Sequence, residues 1–316
     1  MSKAEAIEGS QAAYQVNNRT VIDRSRNRAI YLGIRASGPI IESGLERILR
    51  ITPLELVEGV EEEYLRLREE GYVPVNAANH TAQEDANSEA KWTDAQFELE
   101  KSLPRERRLK DLRKPFAWSL NSGAQGPAVQ GLYHAEMEFL ERHHIVPLHI
   151  VRAKDVTTDT RPNLLDYYKQ LAASLRNGSG VSIFPEGDTW GGKRDENGHI
   201  NGMHSFQEDS IRSIVSAARL AGKKLMIIPI GLEGGFRIQD PETKLPTRWA
   251  LRNGLGFSRR QLKGVRVGLP MPVDQGELGE LTVAKDWQGV NDLIGREIAA
   301  LVPANHRGIH RAYFSS

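Results

Sequence analysis

The pattern of apolar and polar positions alternates between two periods along the chain. Short apolar runs bounded by polar residues or glycine read as buried strands at Tyr72–Ala78, Ile145–Val151, Gly180–Phe184, Leu225–Ile230 and Val265–Leu269. Between them, apolar residues recur at helical spacing: Leu164, Leu165, Tyr168, Leu171, Ala172 and Leu175 mark a helix over 163–176 that Asn177-Gly178 closes. Further helices are predicted near 125–143, over 206–221 before Gly222, and over 288–301, where Val290, Leu293, Ile294, Ile298 and Leu301 form one apolar side. Helix and strand in alternation predict an α/β fold, a mostly parallel (mixed) sheet with helices on both faces.

Ahead of this region, residues 39–71 read as helical. Ile40, Ile41, Leu45, Ile48 and Leu49 share a face, and Thr52-Pro53 looks like the cap of a second helix starting at Leu54. The expected organisation is therefore an N-terminal helical extension over 1–70 and a catalytic domain over 71–316. A long polar stretch, 88–114, also reads as helix, and its second half is strongly basic. It could be a solvated face or a docking site for an acidic carrier or anionic lipid heads.

Composition narrows the chemistry. The 316 residues are 39% hydrophobic and 26% charged, with a formal net charge of +1, so nothing global draws the chain to nucleic acid, and none is expected as a partner. The absence of cysteine removes disulfides, thiolate metal ligands and a cysteine nucleophile. No window approaches the roughly 20 apolar residues of a membrane span, and the first ten residues lack the apolar core of a secretory signal. The expectation is a cytoplasmic protein, with peripheral contact on the membrane inner face if its substrate is a lipid.

The predicted parallel sheet makes its strand ends chemically interesting, because ligands bind outside the carboxyl ends of such strands. Asn79-His80 with Asp85 follows the first strand, Arg152 follows the Ile145–Val151 run, and Pro185-Glu186-Gly187 follows the 180–184 run. A histidine held by a carboxylate can remove a proton from a hydroxyl. A guanidinium suits a phosphate, and Lys193 and Arg194 could add to that clamp. Together they describe a site for a phosphorylated polyol. A second pair with the same spacing, His204 and Asp209, follows a polar glycine-rich loop, where no strand end is predicted to present it, and is read as the start of a helix.

Four blocks in order carry a family resemblance: Asn79-His80 and Asp85, Arg152, Phe184-Pro185-Glu186-Gly187, and Ile228-Pro229-Ile230. The chain resembles the glycerolipid acyltransferases, and over residues 73–231 it looks more like the soluble glycerol-3-phosphate type than the membrane-bound lysophosphatidate type. The resemblance implies that His80 is a general base oriented by Asp85, that Arg152 binds the acceptor's phosphate, and that Glu186 with Gly187 positions the acceptor. It also implies acyl-CoA or acyl carrier protein as donor, glycerol 3-phosphate or a lysophospholipid as acceptor, no covalent acyl-enzyme, no metal and no cofactor. Asp188 stands where the family usually has Thr or Ser, and His144 stands near the place of a glycine that usually precedes the second block. The Gly191–Asp195 segment is similar to a glycine and arginine loop of the soluble group.

Other classes fit less well. No Gly-x-Ser-x-Gly elbow and no Gly-x-Gly-x-x-Gly fingerprint is present. A zinc site on His143, His144 and His149 is disfavoured because adjacent helical residues point to different faces. The remaining alternatives are a 1-acylglycerol-3-phosphate acyltransferase and a non-catalytic lipid or acyl-carrier binding module; the presence of both His80 and Asp85 weighs against the latter.

Overall fold

The computed structural model describes residues 46, 49–50, 52–80, 85–117, 137–150, 161–187, 202–233 and 264–314. The strands are β1 (Leu54–Leu56), β2 (Tyr72–Ala78), β3 (Leu112–Ala117), β4 (Ile145–Ile150), β5 (Gly180–Ile183), β6 (Lys224–Glu233), β7 (Gly264–Val267) and β8 (Met271–Pro272). The helices are α1 (Val60–Glu69), α2 (Asp85–Glu100), α3 (Arg161–Arg176), α4 (Glu208–Ala221), α5 (Gly276–Ala284) and α6 (Trp287–Leu301). Short 3-10 turns at Ala304–His306 and Gly308–Phe314 form a C-terminal strap.

The strands form one eight-stranded mixed sheet in the order β1-β7-β6-β2-β5-β3-β4, with β8 on β6. The run from β6 to β4 is parallel throughout, while β7 and β8 are antiparallel to β6. Every residue of β2 is buried, as a central parallel strand covered on both faces requires. Alternation along the strands sorts the core into two layers. Val73, Val75, Ala77, Leu225 and Ile227 pack with α3, α4 and α6, while Tyr72, Ala78, Met226, Ile228 and Ile230 pack with α1 and α2. The expected α/β sheet with helices on both faces is therefore what the chain forms.

Two expectations are corrected. Leu54–Leu56 is a strand, not the start of a helix, because Leu54, Glu55 and Leu56 pair in parallel with Val265, Arg266 and Val267. The helix starts only at Val60, after Gly59, and α1 packs with β1 against the sheet. The stretch 88–114 is not one helix either: α2 ends at Glu100, and β3 begins at Leu112. A buried network turns the corner between them. Glu100 accepts from the Tyr64 hydroxyl (2.5 Å), the Arg68 guanidinium (2.6 Å) and the Leu109 amide (3.0 Å). Arg107 and Arg108 donate to the carbonyls of Glu69, Leu103 and Lys101, so this part of the basic run is a hydrogen-bonded corner.

His144 has φ 61°, the left-handed conformation glycine favours, and its ring stacks on Phe97 at 4.1 Å. Beside it, His143 Nδ1 lies 2.8 Å from Asp94 Oδ1, and Nε2 lies 3.4 Å from Glu46, a charge contact longer than a good hydrogen bond. Burial alone would lower the His143 pKa, but Asp94 and Glu46 more than offset it and hold the net value above the ordinary imidazole range. Because the folded value is raised, the stabilisation is fully present below an unfolded pKa of about 6.5 and is lost as pH rises through the folded value. The thermal stability advantage of wild type over His143→Ala is expected to shrink as pH rises through that window; parallel melting curves at pH 5.5 and 8.5 check it.

Candidate functional site

Two neighbouring strand exits bear on the candidate site. β2 and β5 are adjacent parallel strands, yet the chain leaves β2 into α2 on one face and leaves β5 toward α4 on the other. This is a topological switch point, where the loops after two neighbouring strands part and leave a cleft at the carboxyl edge. His80 stands two residues past β2, and Glu186 three residues past β5.

Asn79 fixes the exit from β2. The β2–β6 register ends at Ala78 opposite Ile230, and the buried Asn79 side chain then takes the place of further backbone pairing. Its Nδ2 donates to the Leu232 carbonyl (3.0 Å), and its Oδ1 accepts from the Leu232 amide (2.6 Å). An asparagine supplies both a donor and an acceptor, which a strand backbone position demands.

Glu186 joins the two turns. Its buried carboxylate accepts the His80 amide on Oε1 at 2.9 Å and the His204 amide on Oε2 at 2.8 Å. The Pro185–Gly187 turn, the His80 turn and the segment ahead of α4 are therefore stapled by one side chain. Gly187, with φ 75°, has no room for a side chain: a Cβ would lie 2.1 Å from Gln207 Nε2. The Gln207 amide in turn donates to the Pro185 carbonyl at 2.9 Å, which folds the 202–207 segment back along the turn.

His80 is partly exposed, and its ring stacks face to face on Phe184, 4.0 Å between centroids and 8° between planes. Lys114 Nζ lies 3.7 Å from the centre of the same Phe184 ring. Asp85 is the first residue of α2; its side chain and residues 81–84, between it and His80, are not among those described.

His204 was read as remote from the strand ends and is not. Its amide shares the Glu186 carboxylate with His80, while Asp209 pairs with Arg212 (3.5 Å) within α4 and has no part in the site. The C-terminal strap holds this segment, with Met203 donating to His306 and accepting from Ile309. Nothing in the local pattern around His204 signals this return, because its partners lie 18 and about 100 residues away.

Of the other expected site residues, Arg152, Lys193 and Arg194 lie outside the described residues, as do Asp188 and the Gly191–Asp195 loop. The strand that leads to Arg152, β4, ends on the same sheet edge as β2, three strands over and roughly 14 Å away at ordinary strand spacing. Among the described residues no group of three or more histidine or acidic side chains is placed to hold a metal, and no helix is long and apolar enough to cross a membrane. The chain matches no protein-family model, and no curated protein is significantly similar to it.

Proposed function

We propose that the chain is an O-acyltransferase that moves a fatty acyl group from a thioester, on coenzyme A or acyl carrier protein, to a hydroxyl of glycerol 3-phosphate. The observation that carries this reading is the Glu186 carboxylate on the His80 amide at the β2/β5 switch point. It unites two of the four ordered blocks in one crevice and leaves the His80 ring partly open to solvent.

In this reading His80 accepts the proton of the acceptor hydroxyl as the oxygen forms a bond to the thioester carbonyl carbon. The tetrahedral intermediate collapses with cleavage of the carbon–sulfur bond, and the thiolate takes up the proton. Asp85 orients the imidazole and stabilises its charged form, Arg152 with Lys193 and Arg194 holds the phosphate, and the Glu186-Gly187 turn positions the acceptor. Glu186 works through the backbone, setting the position of His80.

The test is release of free thiol from acyl-CoA and from acyl carrier protein, each with glycerol 3-phosphate and with lysophosphatidate. Acceptor-dependent thiol release is expected with glycerol 3-phosphate. Release confined to lysophosphatidate would reassign the acceptor, and no release with any pair, in folded protein, would overturn the enzymatic reading.

A further inference from the structure

Behind Phe184 lies a buried ion pair that the proposed chemistry does not use. Lys114, on β3, is 2% exposed, and its Nζ donates to Glu89 Oε2 at 2.5 Å and to Ser182 Oγ at 2.8 Å. Glu89 is fully buried and stands one helical turn after Asp85 on α2. Its second oxygen has no hydrogen-bond partner. Desolvating two charges in this way is costly, and apolar residues of similar size often do as well or better for stability alone. The pair therefore calls for a role other than holding the sheet to α2.

The geometry gives one. Lys114 Nζ and the His80 ring both approach the centre of the Phe184 ring to within contact distance, so they occupy opposite faces of it. The three side chains form a layered stack: ammonium, phenyl, imidazole. The ammonium is anchored by Glu89 and Ser182, the phenyl is held between the two, and the imidazole plane is set by the phenyl.

Resting on the reading of His80 as general base, we propose that Lys114 is a positioning residue that acts through Phe184 to fix the plane of the His80 ring. Glu89 holds the lysine and tempers its charge. The other titratable groups that the described contacts bring to this region are Glu186, on the His80 amide, and His204, on the opposite oxygen of Glu186.

Two variants separate this role from a structural one. Lys114→Met/Glu89→Leu removes both charges together and leaves neither partner stranded. Phe184→Leu removes the ring and leaves the ion pair in place. In both variants the imidazole proton NMR signals of His80, assigned by comparison with His80→Ala and read at one fixed pH, are expected to lose the ring-current shift that the face of Phe184 imposes. The kcat for thioester transfer is expected to fall about 10-fold with the acceptor KM unchanged. A folded variant of either kind that keeps the wild-type His80 signals overturns the proposal. The NMR readout does not depend on turnover, so an inactive wild type would refute the acyltransferase reading while the spectrum still decides the stack.

Discussion

His80→Ala is expected to lower kcat for acyl transfer about 10³-fold, the middle of the range for loss of a positioned general base, while the fold survives. The reason the two effects separate lies in how His80 is anchored. The contact that holds its turn is the backbone amide donating to Glu186, and alanine retains that amide. Among the described contacts alanine loses the ring stack on Phe184, worth about 1 kcal/mol at a partly exposed position. The KM for the acceptor should change little, because its phosphate is assigned to Arg152, Lys193 and Arg194. Steady-state thiol release alongside a thermal melt checks both halves. A folded His80→Ala protein with wild-type kcat would remove His80 from the reaction whatever else the chain does.

The parts of the fold that were readable in the sequence are those whose environment is uniform. β2, β5 and β6 are buried on both faces, so their residues form continuous apolar runs, and α3, α4 and α6 each present one apolar face. β3 was missed for the opposite reason. Its sequence, Leu-Arg-Lys-Pro-Phe-Ala, places two cations and a proline in a strand with a neighbour on each side. Lys114 is tolerated there only because Glu89, 25 residues earlier on a helix, meets it. No local pattern reports such a partner. β1 was missed because three residues cannot establish a period, and its place is set by β7, more than 200 residues away.

The site divides along the same line. That His80 and Glu186 meet was legible because each follows a strand of the parallel sheet, and the two strands end on one edge. The role of Glu186 as a staple was not legible, since a carboxylate that accepts two backbone amides looks in sequence like one that awaits a hydroxyl. His204 was set aside for want of a strand before it, yet a segment can reach a strand edge by folding back. The glycines and the strap that bring it there act across the chain: Gly202 and Gly308 pass so closely that a Cβ on Gly308 would lie 2.0 Å from the Met203 carbonyl.

Glu186→Gln isolates that staple from size and shape. Both glutamate oxygens accept from backbone amides, one from His80 and one from His204. Glutamine has one acceptor oxygen and one NH2 group, so whichever way the amide is placed, an N–H must face another N–H. One buried amide loses its partner and gains a repulsive contact, and the charge assistance to the other is lost as well. Leaving one such group unsatisfied costs about 1–3 kcal/mol, and the loss of charge assistance brings the expected destabilisation to roughly 2–4 kcal/mol. The catalytic effect should exceed what instability alone produces, because either the His80 turn or the His204 segment must move off the site. A misplacement of about 1 Å is enough to lower turnover 10²-fold. Denaturant melts and kcat, measured at a temperature where the variant is still folded, separate the two. Were Glu186 only a ligand for the acceptor, Glu186→Gln would raise KM and leave the melting curve unchanged. The staple predicts the reverse emphasis, a lower kcat together with a weakened fold.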